Sequence, residues 1–563
     1  MIILGIVNED VSGACLVRNN RIVAAASEER FTRVKNDSSW PSQSIDYVLQ
    51  QQKIKLSDID HIAYGWGADF NSQKHLLMFF DRVVEEARNN PEHIGTFRDR
   101  AEIEISRDAE VRRGFLDFVK KNNLETKTIF FDHHECHALS AFVCSPFEKA
   151  LVLTADGRGD YQSFSVSVFD NSKYEVIHRT SSIDSAGFFY ARITAMLGFK
   201  VNRHEGKITG LAAYGDPSKY LPLMEKMISY KDGKLTAHTG PYYRPWLHDA
   251  VFSDELMEII RSSKREDIAA AAQRHLENII TGMAEYYLKK TGMKNVCMAG
   301  GVFANVSLNK KVFDLPQVEN IFIQPHMSDG GLALGAASGA AYQFTGKKVA
   351  MESMYLGPEF SDKNIMDFLN DAGLNVRKLE SEEEKIDSAI TAIKNDRVVG
   401  WFQGRMEHGP RALCHRSIMY HCKDKTVNHW LNERMQRTEF MPFAPVTALE
   451  LAAKCYKSWK PDHIASYYMT VTYDCYKEMI ENCPAAVHID GTARPQIISA
   501  ESEPTVHKLL LKWYEETGGL SLINTSFNKH EEPIVCSPFD AVQALKEDMV
   551  DVLIIGSFEV TKK

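Results

Sequence analysis

The feature that most constrains this fold is a pattern of strand, acidic turn and further strands that occurs twice, about 140 residues apart. The first copy contains the apolar run IILGIV, the polar loop NEDVSG, and the strands ACLV and RIVAAAS, with Asn19-Asn20 as a tight-turn pair. The second copy contains ALVLTA, the loop DGRGD, and the strands FSVSVFD and YEVIHRT. The repetition indicates either an internal duplication or two unrelated hairpins, and the sequence alone leaves both open.

Helical patterns follow each copy, so strands and helices alternate along the chain. The range from Arg265 to Thr291 has apolar residues on one helical face, including Ile268, Ile279 and Met283. The short buried strands NVCMAGG and IFIQP each lead into a glycine-rich turn and a further helical pattern. This alternation predicts an α/β fold.

A composition shift in TGKKVAMESMYLGPEF, residues 345–360, marks the main domain boundary. The part that follows has its own alternation, with the helical pattern EEKIDSAITAIKN and the strands VVGWFQG and GLSLINTSF. We therefore expect two domains, residues 1–350 and residues 351–563.

The overall charge argues against one broad class of partner. The 66 Lys and Arg residues against 75 Asp and Glu residues give a net charge of −9. Bulk binding of nucleic acid or of an anionic membrane needs a basic surface, so neither partner is expected. No apolar run is long enough to cross a bilayer, and MIILGIVNED lacks the basic start of a signal peptide, so we expect a cytoplasmic protein.

A candidate metal site begins with the motif DHHECHALSAF. His133 and His137 are four residues apart, so on a helix they share one face and can both reach one ion. Asp156 and Asp329 each follow an apolar strand, at the strand ends where ligands bind in α/β sheets. Two imidazoles and two carboxylates would suit iron, manganese or zinc, although each residue alone is compatible with a structural role. The ten cysteines contain no CxxC pair, which indicates neither a disulfide framework nor a cysteine zinc site.

Glycine pairs stand just before two of the helical patterns. They are Gly300 and Gly301 in MAGGVFANVSLNK, and Gly330 and Gly331 in MSDGGLALGAA. Backbone N–H groups in such loops can approach a phosphate or adenosine closely, although ordinary strand–helix turns use the same glycines. Lys207 in HEGKITGLAAYGDP could neutralise a phosphate, or it could lie on the surface.

Arginines are dense in the second part of the chain. Arg405, Arg411 and Arg416 stand within twelve residues in WFQGRMEHGPRALCHRSI, and Arg437 and Arg494 follow downstream. Guanidinium groups bind phosphate through paired hydrogen bonds, so these residues predict an anion site.

A group of neutral hydrogen-bonding residues follows a buried strand in LINTSFNKHEEPIV. Such side chains can hold an amide or a nucleotide, or they can cap a turn. The residues are Asn524, Thr525, Ser526 and Asn528.

These motifs together closely resemble those of the O-carbamoyltransferases of the nodulation-factor and antibiotic-tailoring family, which includes the tobramycin and cephamycin carbamoyltransferases. The resemblance spans nearly the whole chain, and its motifs occur in the family's order. It rests on EERFTRVK, DHHECHALSAF, DGRGD, EGKITGLAAYG, AGGVFANVSLN, SDGGLALGAA, GRMEHGPRALCHRSI, RTEFMPFAP and NTSFN.

The resemblance implies a fold and a reaction. The N-terminal part would be an actin-like ATPase-type domain that binds a metal, similar to part of the tRNA threonylcarbamoylation machinery, and the C-terminal part would be a YrdC-like α/β domain. The C-terminal domain would join carbamoyl phosphate and ATP, which binds with Mg²⁺, into carbamoyl adenylate and release pyrophosphate. The N-terminal domain would then pass the carbamoyl group to a hydroxyl group of a small-molecule natural product or sugar. A homodimer is also what the resemblance suggests.

The resemblance also implies residue roles. His133, His137, Asp156 and Asp329 match the family's iron ligands, and Fe(II) or another divalent transition metal is expected there. Residues that match the nucleotide- and donor-binding positions are Lys207, Gly300, Gly301, Asn305, Gly330, Gly331, Arg437, Arg494, Asn524, Ser526 and Asn528. Arg405, Arg411 and Arg416 match the arginines that would offset charge developing on the phosphates.

The chain departs from the family pattern at three positions. The family has His-Asp-Ala-Ser in its first loop, and that histidine is a candidate base toward the acceptor hydroxyl. This chain has Glu9-Asp10-Val11-Ser12. Either Glu9 or Asp10 takes that role, the metal carries more of it, or the transfer step is impaired, and the sequence leaves these alternatives open. Gln436 stands where many members have lysine, and Cys414 where many have glycine.

Two other functions are compatible with parts of the sequence. A sugar kinase on the same actin-like fold would explain the N-terminal glycine loops but not the arginines of the second domain. A non-catalytic nucleotide-binding module would explain the absence of the first-loop histidine, but the other site residues are chemically intact. The sequence does not identify the acceptor alcohol.

Overall fold

A computed structural model describes residues 1–67, 73–170, 173–238, 253–370, 372–437 and 443–563. These residues divide into two compact units. Unit 1 comprises Met1–Val23 and Ser38–Met351, and unit 2 comprises Ala24–Asp37 and Glu352–Lys563. The segment Ala24–Asp37 groups with unit 2 through contacts distant in sequence, such as the hydrogen bonds from Arg30 Nη2 to the carbonyl of Gly409 (2.9 Å) and from Arg33 Nη1 to that of Ile534 (2.7 Å).

The first twelve strands of the chain form two five-stranded sheets and one two-stranded ribbon, and they belong to unit 1 except for residues 24–27 at the end of the third strand. Their bounds are β1 (Ile2–Val7), β2 (Gly13–Arg18), β3 (Arg21–Ser27), β4 (His61–Tyr64), β5 (Thr128–Phe130), β6 (Lys149–Gly159), β7 (Gln162–Asp170), β8 (Lys173–Ser181), β9 (Ile228–Lys231), β10 (Lys234–Ala237), β11 (Asn295–Ala299) and β12 (Asn320–Ile323).

The two large sheets have the same topology. The strand order is β3-β2-β1-β4-β5 in the first sheet and β8-β7-β6-β11-β12 in the second. In each sheet the central strand, β1 or β6, pairs antiparallel with its hairpin partner and parallel with the strand on its other side. The sequence pattern is therefore an internal duplication, and the alternative of two unrelated hairpins is wrong. This topology confirms the α/β class and the duplicated, actin-like architecture that the resemblance implies for the N-terminal part.

Helices surround these sheets, and α10 covers the range that the apolar pattern predicts. The helices of the first part of the chain are α1 (Glu29–Thr32), α2 (Ser42–Gln51), α3 (Gln73–Asn89), α4 (Ile94–Lys121), α5 (His133–Cys144), α6 (Ala186–Met196), α7 (Glu205–Ala212), α8 (Leu221–Met227), α9 (Asp254–Arg261), α10 (Arg265–Thr291), α11 (Val306–Phe313) and α12 (Leu332–Thr345). Of these, α1 belongs to unit 2.

The helix that ends each half of unit 1 packs against its counterpart. Helix α5 follows β5 and helix α12 follows β12, and small residues let the two approach closely. A methyl group at Gly335 would overlap the backbone of Cys136 on α5, and one at Gly5 in β1 would overlap the backbone of Ala333 on α12. This packing brings the starts of α5 and α12 together with the end of β6.

Unit 2 is built on a mixed eight-stranded sheet, with strand order β13-β22-β21-β14-β15-β20-β16-β19. Its strands are β13 (Asn375–Lys378), β14 (Val399–Phe402), β15 (Arg416–His421), β16 (Ala444–Ala448), β17 (Tyr473–Asp474), β18 (Thr492–Ala493), β19 (Gln496–Ile498), β20 (Leu522–Ser526), β21 (Val552–Ile555) and β22 (Phe558–Thr561). Strands β17 and β18 form a separate ribbon.

The helices of unit 2 cover this sheet, and the buried Trp401 and Trp513 lie in its apolar core. They are α13 (Asp362–Leu369), α14 (Glu382–Lys394), α15 (Val427–Arg434), α16 (Leu449–Cys455), α17 (Lys477–Asn482), α18 (Pro504–Thr517) and α19 (Pro538–Lys546). No helix among the described residues has the length and apolarity that a membrane span requires.

Candidate functional site

The four predicted metal ligands come together in unit 1. His133 and His137 lie one turn apart at the start of α5, where the Asp132 side chain caps the helix by accepting the N–H of Glu135 (3.0 Å). Asp156 lies near the end of β6, and Asp329 lies in the turn between β12 and α12. The duplicated fold places these elements at one edge, because both helices and the strand end meet there.

The ligand atoms of these residues converge on one point. One ligand atom from each of the four residues lies within 4.8 Å of the others. His137 Nε2 is 3.2 Å from Asp156 Oδ2 and 3.4 Å from Asp329 Oδ1. His133 Nε2 is 4.0 Å and 3.7 Å from the same two oxygens.

Several of these atoms are buried and have no hydrogen-bond partner among the described residues. They are both ring nitrogens of His133, Nε2 of His137 and Oδ1 of Asp329. Buried polar atoms are nearly always satisfied, so such a convergent group needs a partner. Two neutral imidazoles and two carboxylates fit a divalent transition metal by number and ligand type, and the residues therefore fit the predicted ion.

The electrostatics of the four predicted ligands also favour a bound cation. Burial and the neighbouring His137 hold the pKa of His133 well below its usual range. Burial opposes protonation of His137, but Asp156 and Asp329 outweigh it and raise the pKa of His137 to about 9. Burial and the charge of Asp156 raise the pKa of Asp329. A divalent cation would satisfy both carboxylates and leave both imidazoles neutral.

Neighbouring groups fix the ligands in place. The two oxygens of Asp156 accept backbone N–H groups from Gly157 (2.7 Å) and Gly301 (2.9 Å). The N–H of His133 donates to Asp160 Oδ2 (2.7 Å). These contacts orient the carboxylate and the helix start, as the surroundings of metal ligands commonly do.

The first loop lies against helix α4 of the same unit. Glu9 is buried, and its Oε1 accepts a hydrogen bond from Arg107 Nε (3.1 Å). Asp10 Oδ1 lies 3.5 Å from Arg107 Nη2, and Asp10 Oδ2 accepts from Asn202 Nδ2 (3.2 Å). Burial and the charge of Asp10 raise the pKa of Glu9 despite the arginines.

Arg158 is a site residue that sequence reasoning missed, although it stands in the motif DGRGD beside Asp156. Its Nη1 donates to Asp108 Oδ1 (2.7 Å), and its Nη2 lies 3.9 Å from Glu9 Oε1. The guanidinium lies 5.5 Å from the ring centre of Trp66, whose ring meets that of His133 edge-on at 4.4 Å. Arg158 therefore connects the first loop, α4 and the surroundings of the metal ligands.

The glycine loops border the same region. Gly300 has φ +105, and a methyl group there would overlap the carbonyl of Ala155. Gly330 and Gly331 lie against His326 with no room for a side chain. These glycines bring backbone close to the metal ligands, since Gly301 contacts Asp156 and Gly330 follows Asp329 directly.

Lys207 and Asn305 have identifiable structural surroundings. Lys207 is buried on α7, and its ammonium group lies 5.6 Å from the ring centre of Phe199. Asn305 caps α11 by accepting the N–H of Leu308 (3.1 Å), and its Nδ2 donates to Gln273 (2.8 Å). These two hydrogen bonds give Asn305 a structural role at the end of the glycine loop.

Three partly buried arginines lie near one another in unit 2. Burial lowers the pKa of Arg411 and that of Arg437 to about 10 each. Burial lowers the pKa of Arg494 well below its usual range, and the charges of Arg411 and Arg437 add to that shift. Within the ranges that the structure describes, Arg437 and Arg494 form no ion pair with a carboxylate. Guanidinium groups that repel one another in this way favour a bound anion.

Two hydroxyl groups lie beside this arginine cluster at the end of β20. Arg437 Nη2 lies 3.2 Å from Thr525 Oγ1 and 3.4 Å from Ser526 Oγ. The hydroxyls and guanidinium groups together form a set of donors suited to phosphate oxygens.

Arg416 and Arg405 have different surroundings from the cluster. Arg416 is fully buried, and its guanidinium lies 3.6 Å from the ring centre of Phe402. Arg405 Nη2 donates to the carbonyl of Leu356 (2.6 Å). The two terminal nitrogens of Arg416 donate at 2.7–3.2 Å to the carbonyl groups of Gln403, His415, Pro358 and Gly404. Both side chains therefore hold backbone segments together.

Glu407 organises the loop that carries Arg411, and sequence reasoning did not single it out. Its buried Oε1 accepts the backbone N–H groups of Leu413 (2.6 Å), His415 (2.9 Å) and Arg416 (3.1 Å). One carboxylate oxygen thus fixes the end of the loop 407–416. No spacing in the sequence marks this role, because the acceptor is a single side chain enclosed by its own loop.

Two asparagines present unsatisfied oxygen atoms. Nδ2 of the buried Asn524 donates to Gln496 Oε1 (2.6 Å), and Nδ2 of Asn528 donates to the carbonyl of Lys529 (2.7 Å). Among the described residues, Oδ1 of each asparagine has no hydrogen-bond partner. Both oxygens can accept a hydrogen bond from an amide nitrogen, which a carbamoyl group carries.

Comparison with known proteins places this chain among its relatives. The family descriptions "Carbamoyltransferase N-terminus" and "Carbamoyltransferase C-terminus" match residues 2–338 and 390–562. An uncharacterized protein of Synechocystis is 30% identical over 98% of this chain and 95% of its own length. Nodulation protein NolNO of Sinorhizobium fredii is 30% identical over 98% of this chain and 78% of its own length. A 3'-hydroxymethylcephem-O-carbamoyltransferase of Amycolatopsis lactamdurans is 27% identical over 62% of this chain and 64% of its own length.

The structure is a two-unit α/β protein with a cluster of two histidines and two aspartates in one unit and an arginine cluster in the other. The family matches cover most of the chain, so the protein belongs to the carbamoyltransferase family and is an enzyme that transfers carbamoyl groups. The family that the sequence motifs indicated is thereby confirmed.

Proposed function

We propose that this enzyme makes carbamoyl adenylate from ATP and carbamoyl phosphate, and transfers the carbamoyl group to a hydroxyl group of a small-molecule natural product or sugar. The observation that carries the proposal is the arginine cluster of unit 2, in which Arg437 and Arg494 form no ion pair with a carboxylate among the described residues. A substrate with several phosphate groups supplies the missing negative charge. A sugar kinase would use unit 1 alone and would leave this cluster without a role.

The arginine cluster and its hydroxyl neighbours would bind the phosphates of the donor substrates. Arg411, Arg437 and Arg494 offset charge on the triphosphate of Mg²⁺-ATP and on carbamoyl phosphate, while Thr525 and Ser526 donate or accept hydrogen bonds. Carbamoyl phosphate gives up its phosphate to water, and the carbamate oxygen attacks the α-phosphorus of ATP. Pyrophosphate leaves with the electron pair of the broken P–O bond, and carbamoyl adenylate remains.

The remaining residues of unit 2 would shape this site. Arg405 and Arg416 hold the backbone through carbonyl groups, so their part in catalysis would be to position the loop that carries Arg411. Asn524 and Asn528 would accept hydrogen bonds from the carbamoyl nitrogen through their Oδ1 atoms, which have no hydrogen-bond partner among the described residues. This arrangement selects a carbamoyl group over a plain acyl group, which lacks the N–H donors.

Unit 1 would carry out the transfer. His133, His137, Asp156 and Asp329 would hold a divalent transition metal such as Fe(II), which supplies a Lewis-acid charge at the site. The adenylate would bind to backbone N–H groups of the two glycine loops, at Gly300, Gly301, Gly330 and Gly331. The helix cap at Asn305 and the charge of Lys207 would contribute to this binding. A first-loop carboxylate, Glu9 or Asp10, would take the proton of the acceptor hydroxyl.

The acceptor class is supported by a relative. The printed name of the Amycolatopsis relative states carbamoyl transfer to the oxygen of a hydroxymethyl group. The same chemistry in this enzyme needs an alcohol, a proton acceptor and an activated carbamoyl group, and the proposed sites supply the last two. The intact ligand set and arginine cluster also argue against a non-catalytic nucleotide-binding module.

The test needs no acceptor. The full chain is mixed with ATP, Mg²⁺ and carbamoyl phosphate, and pyrophosphate, AMP and ADP are followed. Pyrophosphate that depends on carbamoyl phosphate is the expected result. ADP formed with added sugars, and no pyrophosphate, would instead identify a kinase and refute the proposal.

A further inference from the structure

Arg107 on α4 contacts both carboxylates of the first loop, and it holds them differently. Its Nε donates to Glu9 Oε1 at 3.1 Å, whereas its Nη2 is 3.5 Å from Asp10 Oδ1. We propose that Arg107 is a positioning residue that keeps Glu9 as a buried anchor and leaves Asp10 as the carboxylate that takes the acceptor's proton. This inference rests on the proposed function and decides between its two candidate bases.

Glu9 is enclosed by cationic groups. Only 6% of its side chain is exposed, and Arg158 Nη2 lies 3.9 Å from the same Oε1 that Arg107 contacts. Arg158 is itself held by Asp108 at 2.7 Å. A carboxylate whose negative charge is shared with two guanidinium groups, and which has almost no exposed surface, has little means of reaching the hydroxyl of a substrate.

Asp10 is placed in the opposite way. Its side chain is 41% exposed, and among the described residues its two oxygens have only the long contact with Arg107 and a 3.2 Å hydrogen bond from Asn202. Each oxygen therefore keeps lone-pair capacity for a further donor, since an ionised carboxylate accepts about four hydrogen bonds. The contact with Arg107 restricts its orientation without closing its accessible face.

The first loop also adjoins the turn that carries a metal ligand. A methyl group at Gly330 would lie 3.0 Å from Cγ1 of Val11, the residue that follows Asp10. Gly330 in turn follows Asp329 directly. Asp10 therefore lies one residue from a contact with the turn of the proposed transfer site, while Glu9 faces α4.

The transfer step balances with Asp10 in this role. The acceptor oxygen attacks the carbamoyl carbon, and its proton passes to a carboxylate oxygen of Asp10. The bond between the carbamoyl carbon and the phosphate oxygen of the adenylate breaks, and its electron pair leaves with AMP. Asp10 then releases its proton to water, to which it is already exposed.

The experiment compares nucleophiles that differ in their need for a base. The full chain, in excess over ATP, receives Mg²⁺ and carbamoyl phosphate, and pyrophosphate and AMP are timed with water alone or with added hydroxylamine. Hydroxylamine is a much stronger nucleophile than water and needs less proton removal in the transition state. The variants are Asp10→Asn, Glu9→Gln, Arg107→Met and Arg107→Lys. Arg98→Met is a matched control, because Arg98 is an exposed arginine on the same helix.

We expect Asp10→Asn to release pyrophosphate at the wild-type rate but to release AMP with water about 100-fold more slowly, the usual size of a general-base effect. Hydroxylamine should restore AMP release in Asp10→Asn and Arg107→Met. Glu9→Gln should lose less than Asp10→Asn, Arg107→Lys should lose less than Arg107→Met, and Arg98→Met should match the wild type. Unchanged melting temperatures and metal contents exclude misfolding as the cause.

Three outcomes would overturn the inference. The first is wild-type AMP release by Asp10→Asn. The second is a larger loss in Glu9→Gln that hydroxylamine restores, which would make Glu9 the base. The third is an Arg107→Met loss that hydroxylamine does not restore. A wild-type enzyme that forms no pyrophosphate would refute the proposed function itself, and the inference with it.

Discussion

The α-carbon of Gly159 lies so close to the imidazole of His133 that a methyl group there would overlap the ring. Gly159 therefore limits where His133, the first predicted metal ligand, can lie. The predicted metal centre therefore depends on a residue with no side chain.

The variant Gly159→Ala is expected to displace His133 and to lower metal content at least 10-fold, the lower end of effects from residues around metal ligands. Gly206→Ala is the matched control, because a methyl group at Gly206 meets nothing within 4 Å. Elemental analysis of both purified variants measures the difference. Equal metal content would mean that His133 moves without cost or is not a ligand.

Removal of the metal is expected to destabilise unit 1. The proposed ligand atoms of His133, His137 and Asp329 are buried and have no hydrogen-bond partner in the part of the chain that the structure describes, so the metal-free state retains unsatisfied groups. At a metal concentration 100 times the dissociation constant, bound metal stabilises the folded state by about 2.7 kcal/mol. Dialysis against a chelator should lower the melting temperature, and Fe(II), Mn(II) or Zn(II) should restore it. In Asp329→Asn, neither treatment should change the melting temperature.

The positions of the four proposed metal ligands could be predicted from the sequence because local rules fix them. A four-residue histidine spacing marks a helix face, and carboxylates after apolar strands mark the ends of strands in a sheet. Arg107 could not be predicted, because its contact with Glu9 joins positions 98 residues apart in the chain. No periodicity in α4 shows that this position faces the first loop.

The arginines of unit 2 also show that the sequence does not reveal which groups surround a side chain. The sequence treats Arg416 and Arg494 alike, but carbonyl groups surround the first and other arginines surround the second. The surroundings of each side chain are set by the tertiary fold.

Cys414, which departs from the family pattern, is explained in part by the structure. Its φ of +75 is a left-handed conformation that glycine adopts readily, in keeping with the glycine expected there.

The carboxylate of Glu407 is expected to be essential for the loop 407–416. In Glu407→Ala three buried N–H groups lose their acceptor, which should cost about 3 kcal/mol of unfolding free energy and stop pyrophosphate release. Glu407→Gln keeps an acceptor oxygen and should lose roughly 1 kcal/mol. Denaturant unfolding measures both, with the exposed Glu515→Ala as control. A Glu407→Ala protein of wild-type stability would contradict the assigned role.

Arg494 is expected to lower the unfolding free energy of the ligand-free protein while it strengthens anion binding. Arg494→Met removes a buried charge that two other arginines oppose, so the ligand-free protein should gain roughly 1 kcal/mol of unfolding free energy. Arg434→Met is the contrasting control: Arg434 pairs with Asp551 at 2.7 Å and 3.0 Å, and its loss should destabilise the protein by about 0.5–1 kcal/mol.

Pyrophosphate should raise the melting temperature of the wild type and of Arg434→Met. It should raise that of Arg494→Met much less, because the arginine cluster of this variant has lost one of its three cations. Pyrophosphate release from ATP and carbamoyl phosphate should fall about 100-fold in Arg494→Met, in line with the loss of one charge-stabilising donor. If Arg494→Met were instead less stable than the wild type and still stabilised by pyrophosphate, Arg494 would have an unrecognised counter-ion, and the anion site would lie elsewhere in unit 2.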